Sequence, residues 1–166
     1  MFRRVADFQK TWERESGSTL KILGALTDAS LEQAVTKDDR TLGRLAWHLA
    51  TTPGEMMERT GLAIGGPAHE APPPASATAI VAVYESASKA VAAGVAALSD
   101  ANLKVEDDMY GEKWARGLTL QALVAHQAHH RGQMTVLMRQ AGLRVPGVYG
   151  PAREEWTAYG MKPPAV

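Results

Sequence analysis

Cysteine is absent from the 166 residues of this chain. That removes disulfides, thiolate metal ligands and a cysteine nucleophile together. Any metal must therefore be held through nitrogen and oxygen. An excess of one charge is also lacking: Lys+Arg and Asp+Glu both number 18, for a formal net charge of zero. A nucleic-acid binder of this size ordinarily shows a basic excess or stripe, so no nucleic-acid partner is expected. Near-neutrality also does little to oppose self-association. The N-terminal Met1-Phe2-Arg3-Arg4-Val5-Ala6-Asp7 lacks the apolar run of a signal peptide. No stretch reads as the ~20 consecutive apolar residues of a membrane span. The expected location is cytoplasmic, with no membrane partner. Internal repeats and strong strand signals are missing too.

What is present is enough apolar material, 45% of residues, for a core without covalent staples. The length fits a single domain over residues 1–166. Apolar residues at three- and four-residue spacing predict a first helix over about 3–27, carried by Phe8, Trp12, Ile22, Leu23 and Leu26. Ser30 to Gln33 reads as a capping-box turn with Ser30 as cap. A second helix is expected over Thr41–Thr60, capped by Asp38 or Asp39 and kinked or broken at Pro53. Gly65-Gly66-Pro67 and Pro72-Pro73-Pro74 bracket a surface linker. A third helix follows over Ala75–Leu98, then an extended loop or short hairpin over 101–117. A fourth helix is predicted over Thr119–Ala141, with Gly142 as its stop and one short helix near Pro151 beyond it. The fold class expected is all-α: a four-helix bundle, up-and-down or with crossovers, ending in a short C-terminal helix.

The chemistry concentrates in histidine. His126 and His130 stand at i and i+4, which places both imidazoles about 40° apart on one helix face. His130 points within about 20° of the fourth helix's core direction and His126 within about 60°. His129 lies about 120° away and is a poor ligand for the same ion. His48 sits at the edge of the second helix's apolar stripe. Three neutral histidines plus an open position hold a reactive divalent ion in many proteins. The bland alternative is a pair of core histidines satisfied by hydrogen bonds. Arg131 reads more readily as a structural ion pair than as an anchor for a substrate carboxylate or phosphate. Glu15 reads equally as a partner for a histidine N–H or as a solvated charge. Gln133 suits a helix-to-loop bond or a substrate contact. Trp12 and Trp47 read as core rather than pocket wall, and His69, in the linker, has no role assigned.

Thr41-Leu42-Gly43-Arg44-Leu45-Ala46-Trp47-His48, with His126-Gln127-Ala128-His129-His130-Arg131-Gly132-Gln133, resembles the DinB/YfiT-like superfamily. The resemblance spans nearly the whole chain and includes the Pro- and Gly-containing stretch from Leu143 to Gly150. It implies a four-helix bundle binding a divalent metal through His48, His126 and His130; three histidines and water suit zinc and nickel alike. It implies homodimerisation as well. The activities it implies are metal-dependent hydrolysis, or transfer involving a small-molecule substrate such as a low-molecular-weight thiol. The alternative is a non-catalytic metal-binding or stress-response protein whose ion organises the bundle.

Overall fold

The computed structural model describes residues 1–165. Four α-helices build it: α1 (Val5–Leu23), α2 (Leu42–Glu58), α3 (Ala77–Ala96) and α4 (Arg116–Gln140). An antiparallel hairpin, β1 (Glu106–Met109) and β2 (Glu112–Ala115), precedes α4. Single 3-10 turns occupy Asp28–Glu32, Asp100–Lys104 and Trp156–Tyr159. A short terminal helix was expected from Pro151; instead residues 151–155 are non-helical and the single 3-10 turn begins at Trp156. The chief contacts of α3 and of α4 are each with both α1 and α2. Around the bundle the order is therefore α1, α3, α2, α4, and the α1–α2 and α3–α4 connections cross its diagonals. Of the two expected topologies, the one with crossovers is found.

The predicted apolar stripes face inward. Phe8, Ile22, Leu42, Leu49, Ile80, Leu120, Leu123 and Met134 are fully buried. Trp12 and Trp47 are core residues whose indole N–H groups still find acceptors. Trp12 donates to the Ser88 carbonyl at 3.0 Å, and Trp47 to the Ala71 carbonyl at 2.7 Å. The second bond ties the Pro- and Gly-rich linker down onto α2.

Local details depart from the sequence reading in instructive ways. Thr41, rather than Asp38 or Asp39, caps α2, its hydroxyl accepting the Arg44 N–H at 3.1 Å. Asp39 is instead engaged by the Thr36 hydroxyl at 2.8 Å, one turn too early to serve. The capping box near residue 30 is set one register earlier: Thr27 is the cap and Ser30 the reciprocating residue. Helix α2 runs through Pro53 without a break. Proline leaves the carbonyl four residues back without its N–H partner. Here that is Leu49, whose oxygen accepts instead from the Gln127 side chain of α4 at 3.4 Å. Helix α3 is long and apolar enough to meet a membrane-span criterion by composition, with mean hydropathy 1.3, contrary to the sequence reading. Its apolarity comes largely from alanine and valine, it carries the Glu85–Lys89 ion pair, and it packs within the bundle.

The hairpin resolves the expected loop or hairpin at 101–117. Its two-residue turn puts Tyr110 at φ 59° and Gly111 at φ 86°. Paired positive φ values match the mirror-image turns that suit the strand twist. Tyrosine is an unfavourable choice there. Its hydroxyl donates to Glu55 of α2 at 2.8 Å, and the Arg59 guanidinium lies 4.3 Å over its ring. These contacts dock the turn against α2.

Candidate metal centre

Helices α2 and α4 pack side by side, and the i, i+4 spacing on α4 places His126 and His130 opposite His48 of α2. The three histidines are brought together as the spacing predicted. His48 Nε2 is 3.0 Å from His126 Nε2, which is 3.1 Å from His130 Nε2. Each residue presents a ligand nitrogen within 4.8 Å of the other two. For zinc–nitrogen bonds of ~2.0–2.1 Å, tetrahedral ligands stand about 3.3 Å apart, so this spacing suits one ion.

Hydrogen bonding fixes the free nitrogens. His130 Nδ1 lies 2.6 Å from the Gln133 side-chain oxygen, which can only accept. The proton therefore sits on Nδ1, and His130 Nε2 carries a lone pair. His48 Nδ1 is 3.5 Å from the Thr52 hydroxyl, whose own proton goes to the His48 carbonyl at 2.6 Å. His126 Nδ1 is buried without a partner. A proton on His126 Nε2 cannot serve both neighbours fully and leaves Nδ1 an orphan acceptor. A proton on Nδ1 instead turns lone pairs toward each other. A cation shared by the three Nε2 atoms turns that lone-pair repulsion into attraction, with only the His126 Nδ1–H left without an acceptor, and three neutral imidazoles suit a borderline divalent ion.

The electrostatics agree. Burial, then the neighbouring His126 and His130, pushes His48 down to about 3. Burial, then His130 and His129, pushes His126 down to about 4. Burial also lowers His130, opposed by its bond to Gln133. Near neutrality the trio is uncharged, the state in which imidazole binds metal.

The other flagged residues sort by geometry. Arg131 turns away from the histidines and is buried with Glu15 of α1. Its guanidinium donates to the Glu15 carboxylate, to the Glu15 carbonyl at 2.9 Å and to Thr19 at 2.8 Å. Tyr149 completes the cluster, accepting from Arg131 and donating to Glu15 at 2.6 Å. Burial opposes ionisation of Glu15, but the bonds from Tyr149 and Arg131 outweigh it and hold its pKa below the ordinary value. The structural reading of Arg131 is the one found, and Glu15 is neither a histidine partner nor a solvated charge. Gln133 makes no helix-to-loop bond; it reaches back one turn to His130. His129 is exposed, with its ring 4.9 Å from that of His130.

Two residues beside the site had no such reading. His69, from the linker, brings its ring within 5.0 Å of His48. Glu55, on α2, is close enough to favour the charged form of His126. A cavity of about 350 Å³ is lined by both. No sequence period links residue 69 to helix α2, so only the folded linker shows this placement.

Comparison with known proteins bears on the family and the fold. A family model described as the DinB family matches residues 1–164. A Bacillus subtilis (strain 168) protein named "Uncharacterized protein YrdA" is 46% identical over 167 residues, covering 100% of each chain. The crystal structure of a DinB-like protein from Bacillus cereus ATCC 10987 has TM-score 0.86 and 41% identity, covering 90% of this chain and 100% of that one. A second DinB-like protein, YjoA of Bacillus subtilis, has TM-score 0.68 at 15% identity, over 86% of this chain and 97% of that one. It is similar in fold alone.

Proposed function

We propose that this chain, which belongs to the DinB family, is a metal-dependent enzyme whose ion is held by His48, His126 and His130. The observation carrying this reading is the convergence of three Nε2 atoms whose Nδ1 environments and lowered pKa values favour the neutral, ligating form. Zinc or nickel suits the donor set. When bound, such an ion supplies Lewis acidity that lowers the pKa of a coordinating water or thiol. The protein's own residues do the rest. Gln133 fixes the His130 tautomer, Thr52 steadies His48, and the packed α2–α4 face holds all three rings in place before a substrate arrives. The chain supplies no thiol of its own. Water or a small-molecule thiol bound at the ion would supply the nucleophile without one, which makes hydrolysis and thiol transfer the two reactions to test.

Metal content measured by mass spectrometry on untagged protein tests the premise. About one transition-metal ion per chain is expected, and loss of nearly all of it in His126→Ala. Wild-type protein that stays metal-free after incubation with zinc and nickel sinks the reading. Turnover of an electrophile with a low-molecular-weight thiol, dependent on the loaded ion, then separates the enzyme from a protein whose ion only organises the bundle.

Gln133→Leu provides a finer check. It removes the acceptor on His130 Nδ1 while leaving all three histidines in place. Outer partners of metal ligands typically contribute ~10–100-fold to affinity, and a loss in that range is expected in chelator competition. Unchanged affinity means that Gln133 does not set the tautomer.

A further inference from the structure

We propose that His69 is a fourth, displaceable imidazole ligand of the ion held by His48, His126 and His130. The proposal rests on the metal reading above and extends it to a residue outside both helices of the site. The first observation is proximity. The His69 ring lies 5.0 Å from that of His48, close to the 4.8 and 4.7 Å that separate His48 from His126 and His130.

The second observation is the outer hydrogen bond. A metal-ligating histidine almost always donates its non-ligating N–H to an acceptor, which fixes the ring and frees the other nitrogen. His130 does this through Gln133, and His48 is placed to do so through Thr52. His69 shows the same arrangement: its Nδ1 is 3.2 Å from the Thr51 hydroxyl. That hydroxyl's proton has an acceptor in the Trp47 carbonyl, at 3.1 Å. The Thr51 oxygen is then left to accept from His69 Nδ1–H, and His69 Nε2 carries a lone pair. Nothing in the fold of the linker calls for such a bond. Trp47 already anchors that segment two residues further on, at Ala71. His129 is the instructive contrast, since its ring is equally near the site but stands exposed.

His69 lies just outside the close set, because only His48, His126 and His130 have ligand nitrogens mutually within 4.8 Å. Its carrier segment can supply the remaining approach. The linker reaches His69 through Gly65 and Gly66, at φ 68° and 118°, and no regular structure holds it. A fourth protein ligand closes a zinc site, whereas a catalytic site needs an open position. An imidazole on a short, tethered segment meets both demands: it occupies the position at rest and yields it to an incoming substrate atom. The cavity of about 350 Å³ beside it, lined by Glu55, Glu58 and His69 among others, gives the displaced ring or a small ligand room.

Cobalt(II) serves as the probe, with untagged, metal-stripped full-length protein. Its visible spectrum distinguishes four-coordinate nitrogen sites from more solvated ones, and chelator competition gives the affinity. The wild type is expected to show intense four-coordinate bands. His69→Ala should lose intensity and bind Co²⁺ about 10–100-fold more weakly, by analogy with lost ligand support. Free imidazole should restore the His69→Ala spectrum. His69→Gln keeps a donor for Thr51 and serves as the second variant, with helix content by circular dichroism confirming that each variant folds. His129→Ala should match wild type. If His69→Ala and His69→Gln bind Co²⁺ with wild-type affinity and spectrum, the fourth ligand is refuted and the three-histidine site stands. If His129→Ala is impaired to the same degree, the assignment to His69 is refuted. A wild-type protein that takes up no Co²⁺ overturns the metal reading, and this proposal with it.

Discussion

Arg131→Ala should destabilise the protein by about 3 kcal/mol, because it leaves a buried carboxylate with only the largely exposed Arg14 as its cation. Arg131 is 1% exposed and Glu15 2% exposed. Removing the guanidinium deletes four donated hydrogen bonds and the buried one of the two cations on Glu15, Arg14 remaining 3.1 Å from the other carboxylate oxygen. It also loosens Tyr149, which bridges this pair to the segment after α4. For a domain of this size the loss corresponds to a fall in Tm of roughly 10 °C. Breaking a buried pair and replacing it are different experiments. Arg131→Met combined with Glu15→Leu removes both charges and should recover much of the loss, since apolar replacement of a whole pair is often close to neutral. The pH dependence has a definite sign. Glu15 titrates below its ordinary value in the folded state. Its contribution is present above the unfolded carboxylate pKa of about 4.3 and is lost as pH falls through the folded one. Urea titrations of the single and double variants decide the matter. A single variant within about 0.5 kcal/mol of wild type, the range of an ordinary surface substitution, would show that the Arg131–Glu15 pair does not hold the bundle together.

The ion pair and the histidines show what could be read in this chain before folding. The i, i+4 repeat on α4 and the edge position of His48 on α2 are local facts. The helical period puts His126 and His130 on one face; that His48 completes the set was implied by the family resemblance, since no period says which helices pack side by side. The core stripes were legible for the same reason. The partners of Arg131 were not, because Glu15 and Tyr149 lie 116 residues before it and 18 after it, on elements whose packing no periodicity specifies. Pro53 does not break α2, and the reason lies outside that helix: Gln127 of α4 reaches the freed Leu49 carbonyl. His69 lies in a linker without period, so only the fold brings it beside His48.

The pH response of the metal-stripped protein follows from the same cluster. An unfolded chain protonates its histidines as pH falls through about 6.5. Folded His126 resists until about 4 and folded His48 until about 3. Across that window the unfolded state binds more protons, so acidification favours unfolding. The stability at issue is fully present above about pH 6.5 and drains away as pH falls toward the folded values. Each histidine that stays neutral contributes at most about 1.4 kcal/mol per pH unit. Partial exposure of His48 and His126 reduces that figure by solvent screening. Chemical denaturation of chelator-treated protein between pH 8 and 4 should give a falling curve for wild type. A His48→Ala/His126→Ala double variant should give a flatter one, because both resistant rings are gone. Equal slopes would show that the trio does not resist protonation. The same resistance bears on the bound state. Protons begin to compete with an ion only when they can occupy its ligands, which for His126 and His48 means near pH 4 rather than 6.5. Saturating Zn²⁺ stabilises the folded state in proportion to the logarithm of its concentration over Kd. That protection should therefore fade at a lower pH than in a histidine-rich but unstructured peptide, whose rings protonate near ~6.5.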